Sequence, residues 1–293
     1  MWQLIMAMVI WGTLGLFVLK SGLGSIEIAF FRCLIGAIIL APYCWYKGFF
    51  STKALTVKII LPILLGGIFV VLNWILLFES FNLSSITIGN VSYYMQPVFL
   101  VILGKIFFRE DISLIKWIFI SLTLCGVLMT MDFSSEDLHA NNTQILGVGC
   151  ALLAGFFYSV ATIIAKKVTK TTPTMMTLLQ LMVGTLVLIP FISLNTAHST
   201  WMTAYYIVIL GLVHTVAAFI LYYQSVKKLP TTSIAVISYV DPIVAIFTDV
   251  LFFNRELHLT QVLGIGVTLL SSYFVINPQA FKQLFFKMKM KMI

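Results

Sequence analysis

The chain has 293 residues, of which 60% are hydrophobic and 10% charged, and its mean hydropathy is +1.05. A soluble domain carries about 25% charge and could not hide so much apolar surface, which excludes a soluble enzyme. The net charge of +8 sits in short Lys and Arg clusters between apolar runs, without the basic stripe and interleaved aromatics of a nucleic-acid binder, so no nucleic-acid partner is expected.

Crossing the hydrocarbon core takes about 20 mainly apolar residues per helix, and runs of that length recur along the whole chain. The first, 3–20, lacks both a basic start and a small-residue cleavage site, and so reads as a transmembrane helix rather than a signal peptide. Runs at 26–46, 58–79, 86–107 and 114–131 complete a first set of five. A second set follows at 144–165, 173–194, 201–224, 231–252 and 259–276. The expected fold is therefore an all-α integral membrane protein of ten transmembrane helices. Residues 1–131 form one five-helix unit and 144–276 the other, joined by an acidic external linker, 132–143, with Asp132, Glu136 and Asp137. The basic tail 277–293 spaces Phe281, Leu284, Phe285 and Met288 on one helical face among Lys282, Lys287 and Lys289, a pattern suited to an anionic lipid surface.

Cytoplasmic loops carry the excess of Lys and Arg. With the N-terminus inside, the connections after helices two, four, six and eight and the tail hold all of the 18 Lys and Arg residues except Lys20, Arg255 and the intrahelical Arg32. Both termini are thus expected in the cytoplasm. Trp2, Tyr43, Trp45, Tyr46, Trp117, Trp201, Tyr205 and Tyr206 fall near helix ends, at headgroup level, whereas Trp11 and Trp74 lie within helices as packing or cavity-lining groups. The cysteines, Cys33, Cys44, Cys125 and Cys150, sit in or beside apolar runs with no metal-ligand spacing and read as small hydrophobes.

Sliding the sequence by 145 residues aligns Val71–Phe108 with Val216–Phe253 and brings Tyr94 onto Tyr239, Pro97 onto Pro242, and Phe107-Phe108 onto Phe252-Phe253. An odd number of helices per copy forces the second copy to enter from the opposite side, which makes the two units inverted repeats. Inverted repeats around a midplane site are a recurring device of secondary transporters.

Polar groups inside the bilayer are costly, and each is a candidate site. Pro97 and Pro242 remove a backbone hydrogen bond near mid-depth and act as hinges. Around them stand Tyr93, Tyr94 and Gln96 in helix four and Tyr239 and Asp241 in helix nine, with Gln96 and Asp241 at equivalent positions. Asp241 is the foremost candidate, a mid-bilayer carboxylate that must be paired, protonated or hydrated. His214 could relay a proton, and Asn73, Trp74, Tyr158 and Tyr222 are candidate wall residues. Arg32, in the outer third of helix two, is expected to snorkel or to pair with Glu27 or Glu79. Arg109-Glu110 and Arg255-Glu256, at helix ends, read as ion pairs or loop anchors. Gly12, Gly15, Gly66, Gly67, Gly147 and Gly149 allow close helix contact.

Over essentially its whole length the chain resembles the drug/metabolite transporter superfamily, specifically the ten-helix EamA-type members with two EamA repeats. The resemblance rests on Trp11-Gly12, on Ala29-Phe30-Phe31-Arg32, and on Pro97 followed by Phe107-Phe108-Arg109-Glu110. Its second copy is Pro242 followed by Phe252-Phe253-Asn254-Arg255-Glu256, one residue longer, and Gln180 stands near the place of Arg32. The resemblance implies a proton- or gradient-linked carrier of metabolites, often an exporter of amino acids or related compounds, in a bacterial inner membrane. No cofactor or metal is expected; the partners are a small-molecule substrate and membrane lipids, and a homodimer is compatible with the pattern. A lipid or amphipathic-drug flippase of the same fold is the alternative. An intramembrane enzyme stands further off, since no H-E-x-x-H, G-x-S-x-G or paired G-x-G-D motif is present, and without a P-loop direct ATP drive is not expected. Accessibility labelling checks the topology: the 132–143 linker should label from the face opposite to the tail, and labelling on one common face would make the units parallel.

Overall fold

A computed structural model describes residues 1–50, 56–131, 142–192, 200–253, 257–281 and 283. Among these, nine helices are long and apolar enough to cross a bilayer: α1 (Trp2–Ser21), α2 (Ser25–Tyr46), α3 (Val57–Leu83), α4 (Ile86–Phe108), α6 (Asn142–Lys167), α7 (Pro173–Phe191), α8 (Trp201–Val226), α9 (Thr231–Phe253) and α10 (Leu259–Ile276). The tenth, α5 (Leu114–Met129), is apolar but only 16 residues long. Leu, Ile, Val and Phe surround these helices on all sides, and many large apolar side chains remain exposed on the bundle, among them Leu65, Leu186, Leu251 and Leu270. Apolar residues both inside and outside are what a lipid solvent requires.

The structure lengthens α3 to Leu83, beyond the expected 79. Ser84 closes the extra turn, its N–H and its hydroxyl both donating to the Ser80 carbonyl, at 2.9 and 2.7 Å. Helix α6 starts at Asn142, so that Asn142 and Thr143 belong to the helix and not to the linker. The rest of the linker, Arg255 and Glu256, and Leu284, Phe285 and Met288 of the tail lie outside the described residues. Phe281 packs its ring on Phe119 and Phe274, at centroid distances of 4.9 and 5.5 Å.

The packing has the symmetry expected of inverted repeats. Helix α3 packs on α6 as α8 packs on α1; α4 packs on α6 as α9 packs on α1; α3 packs on α7 as α8 packs on α2. Helices α2 and α7, α4 and α9, and α5 and α10 pair with their own counterparts. Exchanging the two halves turns every one of these contacts into another, as a two-fold axis demands, and the odd helix number lays that axis in the membrane plane. Contacts between halves far exceed contacts within one, so the two units interleave.

The α5–α10 pair meets at Gly126 and Gly264. A Cβ on Gly264 would stand 2.5 Å from the Gly126 carbonyl oxygen and 2.9 Å from Met129 Cβ. Small residues at such a crossing let backbones approach where no hydrophobic drive separates lipid from helix. Gly15 and Gly149, by contrast, face open space, and their expected contact role is not realised. Gly264→Val should destabilise the protein by about 1–3 kcal/mol through overpacking. The thermal unfolding midpoint in detergent checks this, and an unchanged midpoint would contradict the contact.

Candidate functional site

Pro97 has no N–H, so the Tyr93 carbonyl four residues earlier loses its helical partner. Helix α4 accordingly breaks into Ile86–Tyr93 and Gln96–Phe108, with Tyr94 at φ −68 and ψ 0. Pro242 does the same to α9, which breaks into Thr231–Ser238 and Val240–Phe253, with Tyr239 at φ −74 and ψ 0. The breaks fall on repeat-equivalent tyrosines, and the Tyr239 hydroxyl donates to the Tyr94 carbonyl at 3.0 Å, tying them together.

Each break rests on a glycine of the first helix of the other half. A Cβ on Gly155 of α6 would lie 3.1 Å from the Tyr93 carbonyl oxygen and 3.1 Å from Gln96 Cβ. One on Gly12 of α1 would lie 2.7 Å from the Asp241 carbonyl oxygen. Ser159, one turn beyond Gly155, donates to the Gln96 carbonyl at 2.8 Å. Gly155 and Ser159 are absent from the sequence-based candidates; the equivalence of α6 to α1, with its Gly12, is the signal that points to them.

Between the breaks lies a cavity of about 200 Å³. Asp241, Gln96, Tyr93, Tyr94, Tyr239, Asn73, Trp74, Tyr158 and Tyr222 all line it, as do Pro97, Arg32 and Ser238. Trp11, whose ring centroid is 5.2 Å from those of Phe219 and Tyr222, closes one side. Tyr158 stacks on Tyr222, which shares a 2.8 Å hydrogen bond with Thr162. Asn73 is fixed by donating to the Ala154 carbonyl at 2.9 Å and to the Tyr93 hydroxyl at 3.3 Å. The walls are thus largely aromatic, with Asn73 and Tyr222 held by hydrogen bonds.

Polar groups of the lining residues are left without a hydrogen-bond partner among the described residues. The Gln96 Nε2 is buried without a hydrogen-bond partner among the described residues. The Asp241 carboxylate accepts no hydrogen bond from a described residue. A buried donor left unpaired costs about 1–3 kcal/mol, which marks a position kept for something other than packing.

Arg32 departs from its expected place. Its side chain does not snorkel: it is 7% exposed, and its Nε donates to Thr215 Oγ1 at 2.8 Å and its terminal nitrogen to the His214 carbonyl at 3.4 Å. The guanidinium carbon stands 5.3 Å from the centre of the Trp74 ring. What makes this possible is a π-helical stretch in α8, Leu212–Ala217, which turns the His214 carbonyl toward Arg32 and toward Trp11 Nε1, 2.9 Å away. Such bulges recur at functional sites, and nothing in the apolar run 201–224 announces this one.

His214 is the sequence candidate that does not reach the cavity. Its Nε2 stands 3.1 Å from Thr13 Oγ1 and its ring lies against Phe17. Gln180 accepts from the Tyr223 hydroxyl and lines a separate pocket of about 10 Å³, beyond Trp74 and Phe219. Glu79 is exposed, accepting from Asn82 at 3.4 Å. Arg109 is in the left-handed region at φ 53 and ends α4. Glu110 next to it receives the Thr231 N–H at 3.0 Å and the Thr231 hydroxyl at 2.7 Å, capping the start of α9.

A bundle of apolar helices whose two inverted halves enclose an aromatic-walled cavity with a few polar groups at paired helix breaks is an architecture found in membrane carriers. The model of the EamA-like transporter family matches residues 1–131 and again 145–277, and the chain belongs to that family, within the drug/metabolite transporter superfamily. It is 33% identical over 270 residues to an uncharacterized transporter, YxxF, of Bacillus subtilis, covering 90% of this chain and 85% of that one. It is 23% identical over 268 residues to a protein of Rickettsia conorii named S-adenosylmethionine uptake transporter, covering 89% and 86%. A crystal structure with 14% sequence identity superposes with a TM-score of 0.80 over 96% of this chain and 97% of the other, which establishes the shared fold. The protein is an integral membrane transporter with a small-molecule substrate.

Proposed function

We propose that the protein exports an amino acid or a closely related zwitterionic metabolite by alternating access, driven by a proton or ion gradient. The observation that carries this reading is the presence, in one cavity, of a guanidinium, Arg32, and of a carboxylate, Asp241, that accepts no hydrogen bond from a described residue. An α-amino acid presents a carboxylate and an ammonium of matching sign. In this assignment Arg32 holds the substrate carboxylate and Asp241 the ammonium, while Trp74, Tyr158 and Tyr222 supply faces to the cation and to the side chain. Gln96, equivalent to Asp241 in the other half, contributes neutral hydrogen bonds.

Size supports a small solute. The cavity of about 200 Å³ is below the roughly 300–1,000 Å³ of drug-sized sites, which weighs against the flippase alternative. S-adenosylmethionine, in the name of the rickettsial relative, is a second reading favoured by that relative and by the aromatic walls. It carries the same amino-acid zwitterion and would need a wider open form.

For alternating access, the packing supports two mixed bundles as the moving parts: α1, α2, α8 and α9 against α3, α4, α6 and α7. The bundles meet where α4 crosses α9 and α2 crosses α7, with Pro97 and Pro242 as hinges. The repeats 1–131 and 144–276 supply equivalent elements to both, so neither repeat moves as a unit. In this reading the protein lies in the inner membrane of a bacterial cell with both termini in the cytoplasm. This orientation is supported by the convergence of Lys58, Lys167 and Lys170 at one end of the bundle, where Lys166 also donates to the Val226 carbonyl at 3.4 Å.

Proteoliposomes with an imposed pH gradient and a panel of amino acids plus S-adenosylmethionine test the reading. One zwitterion should move only while the gradient lasts. Asp241→Asn and Arg32→Gln should each lower its flux at least about tenfold, the loss of one charge-assisted contact of about 1.5–3 kcal/mol. An Asp241→Asn protein with wild-type flux and wild-type pH dependence would refute the assignment.

A further inference from the structure

A second cavity, of about 420 Å³, opens at the lysine-rich end of the bundle, between the start of α3 and the end of α6. Its floor is apolar, formed by Pro62, Ile164 and Val168, and its rim carries Lys58, Lys167 and Lys170. No carboxylate is among the described residues that line it. It lies at the opposite end of α6 from Asn142, and shares no lining residue with the cavity of Asp241 and Arg32.

Three ammonium groups around one hollow repel each other, and an arrangement without a counter-charge costs free energy unless an anion joins it. Pro62 adds to the shape of the site. It stands in the second turn of α3, removes the bond that would close on the Lys58 carbonyl and leaves that carbonyl and its turn open beside α6. A soluble phosphate compound would be served by the rim alone. The apolar floor, at the level where helix ends meet the headgroups, suits a ligand that is anionic at one end and hydrocarbon at the other. Basic pockets between transmembrane helices on the cytoplasmic side take such head groups.

We propose that the cavity between α3 and α6 is a binding site for an anionic phospholipid, whose headgroup phosphate sits among Lys58, Lys167 and Lys170 and whose acyl chain runs over Pro62, Ile164 and Val168. Because α3 and α6 belong to the same mixed bundle and each lines the central cavity, through Asn73 and Tyr158, a lipid held there braces the pair that shapes the transport site. The site is independent of which solute is carried.

Native mass spectrometry of the full chain, released from detergent micelles doped with phosphatidylglycerol or phosphatidylcholine, tests this. Phosphatidylglycerol adducts should exceed phosphatidylcholine adducts. The triple variant Lys58→Gln, Lys167→Gln, Lys170→Gln should weaken phosphatidylglycerol binding at least about tenfold, since each lysine near an anionic surface contributes about a factor of five. Replacing the same lysines by Arg should keep binding. A control triple with equal charge loss, Lys47→Gln, Lys105→Gln, Lys116→Gln, should leave it unchanged. Three results would overturn the site: equal retention of the two lipids, an unaltered affinity in the pocket triple, or an equal loss in the control. Competition by millimolar inorganic phosphate as effective as that by phosphatidylglycerol would overturn the lipid assignment in favour of a soluble anion. Thermal unfolding of each variant, read beside the spectra, separates loss of lipid from loss of fold, and the Arg variant keeps the test open if the Gln variant unfolds.

Discussion

Inside a bilayer no water is present to satisfy a stray backbone N–H or carbonyl, so a transmembrane helix can break only where protein or a cavity takes over the freed groups. This single constraint organises the molecule. Two helices break at prolines, at Tyr94 and Tyr239, and both of these breaks are turned inward against each other. The Tyr239 hydroxyl donates to the Tyr94 carbonyl, Ser159 donates to that of Gln96, and glycines at 12 and 155 bring a neighbouring helix close against each broken one. The cavity follows from this geometry: the prolines that interrupt the helices also line up the side chains on either side of the interruption.

Duplication then explains why the polar groups come in related pairs without being identical. Gln96 and Asp241 occupy the same place in the two halves, one neutral and one acidic, and the sole buried guanidinium among the described cavity residues, Arg32, comes from α2, while its structural relative α7 presents Gln180 to a small side pocket instead. The symmetric scaffold supplies a two-fold framework, and these departures from symmetry give the cavity a positive and a negative side. An asymmetric solute with two charged ends needs that polarity.

The helices, their number and the inverted duplication were legible in the sequence because each rests on a local or periodic signal: apolar runs of membrane length, lysine clusters on one side, and a 145-residue offset that aligns proline with proline. The neighbourhood of the cavity was legible for the same reason, since a polar side chain beside a mid-helix proline is conspicuous in an apolar run. What stayed hidden depends on long-range packing. The sequence puts Arg32 within reach of the surface; only the π-helical turn of α8, with no residue signature of its own, offers it the His214 carbonyl and Thr215. His214 looks like a mid-depth titratable group, yet its ring meets Thr13 and Phe17 and is not part of the cavity lining. The interleaving of the halves is likewise invisible to any reading that follows the chain, because the strongest helix contacts join elements far apart in sequence.

The central claim is that the space between the two breaks opens to each side of the membrane in turn. A single cysteine at Ser238, in a background with Cys33, Cys44, Cys125 and Cys150 replaced, measures this directly by reaction with a membrane-impermeant thiol reagent in right-side-out and inside-out vesicles. The expected result is labelling from both faces, with the balance between them shifted when a transported solute is present. Labelling from one face alone, unchanged under every gradient and solute, would contradict alternating access and leave the cavity a fixed pocket.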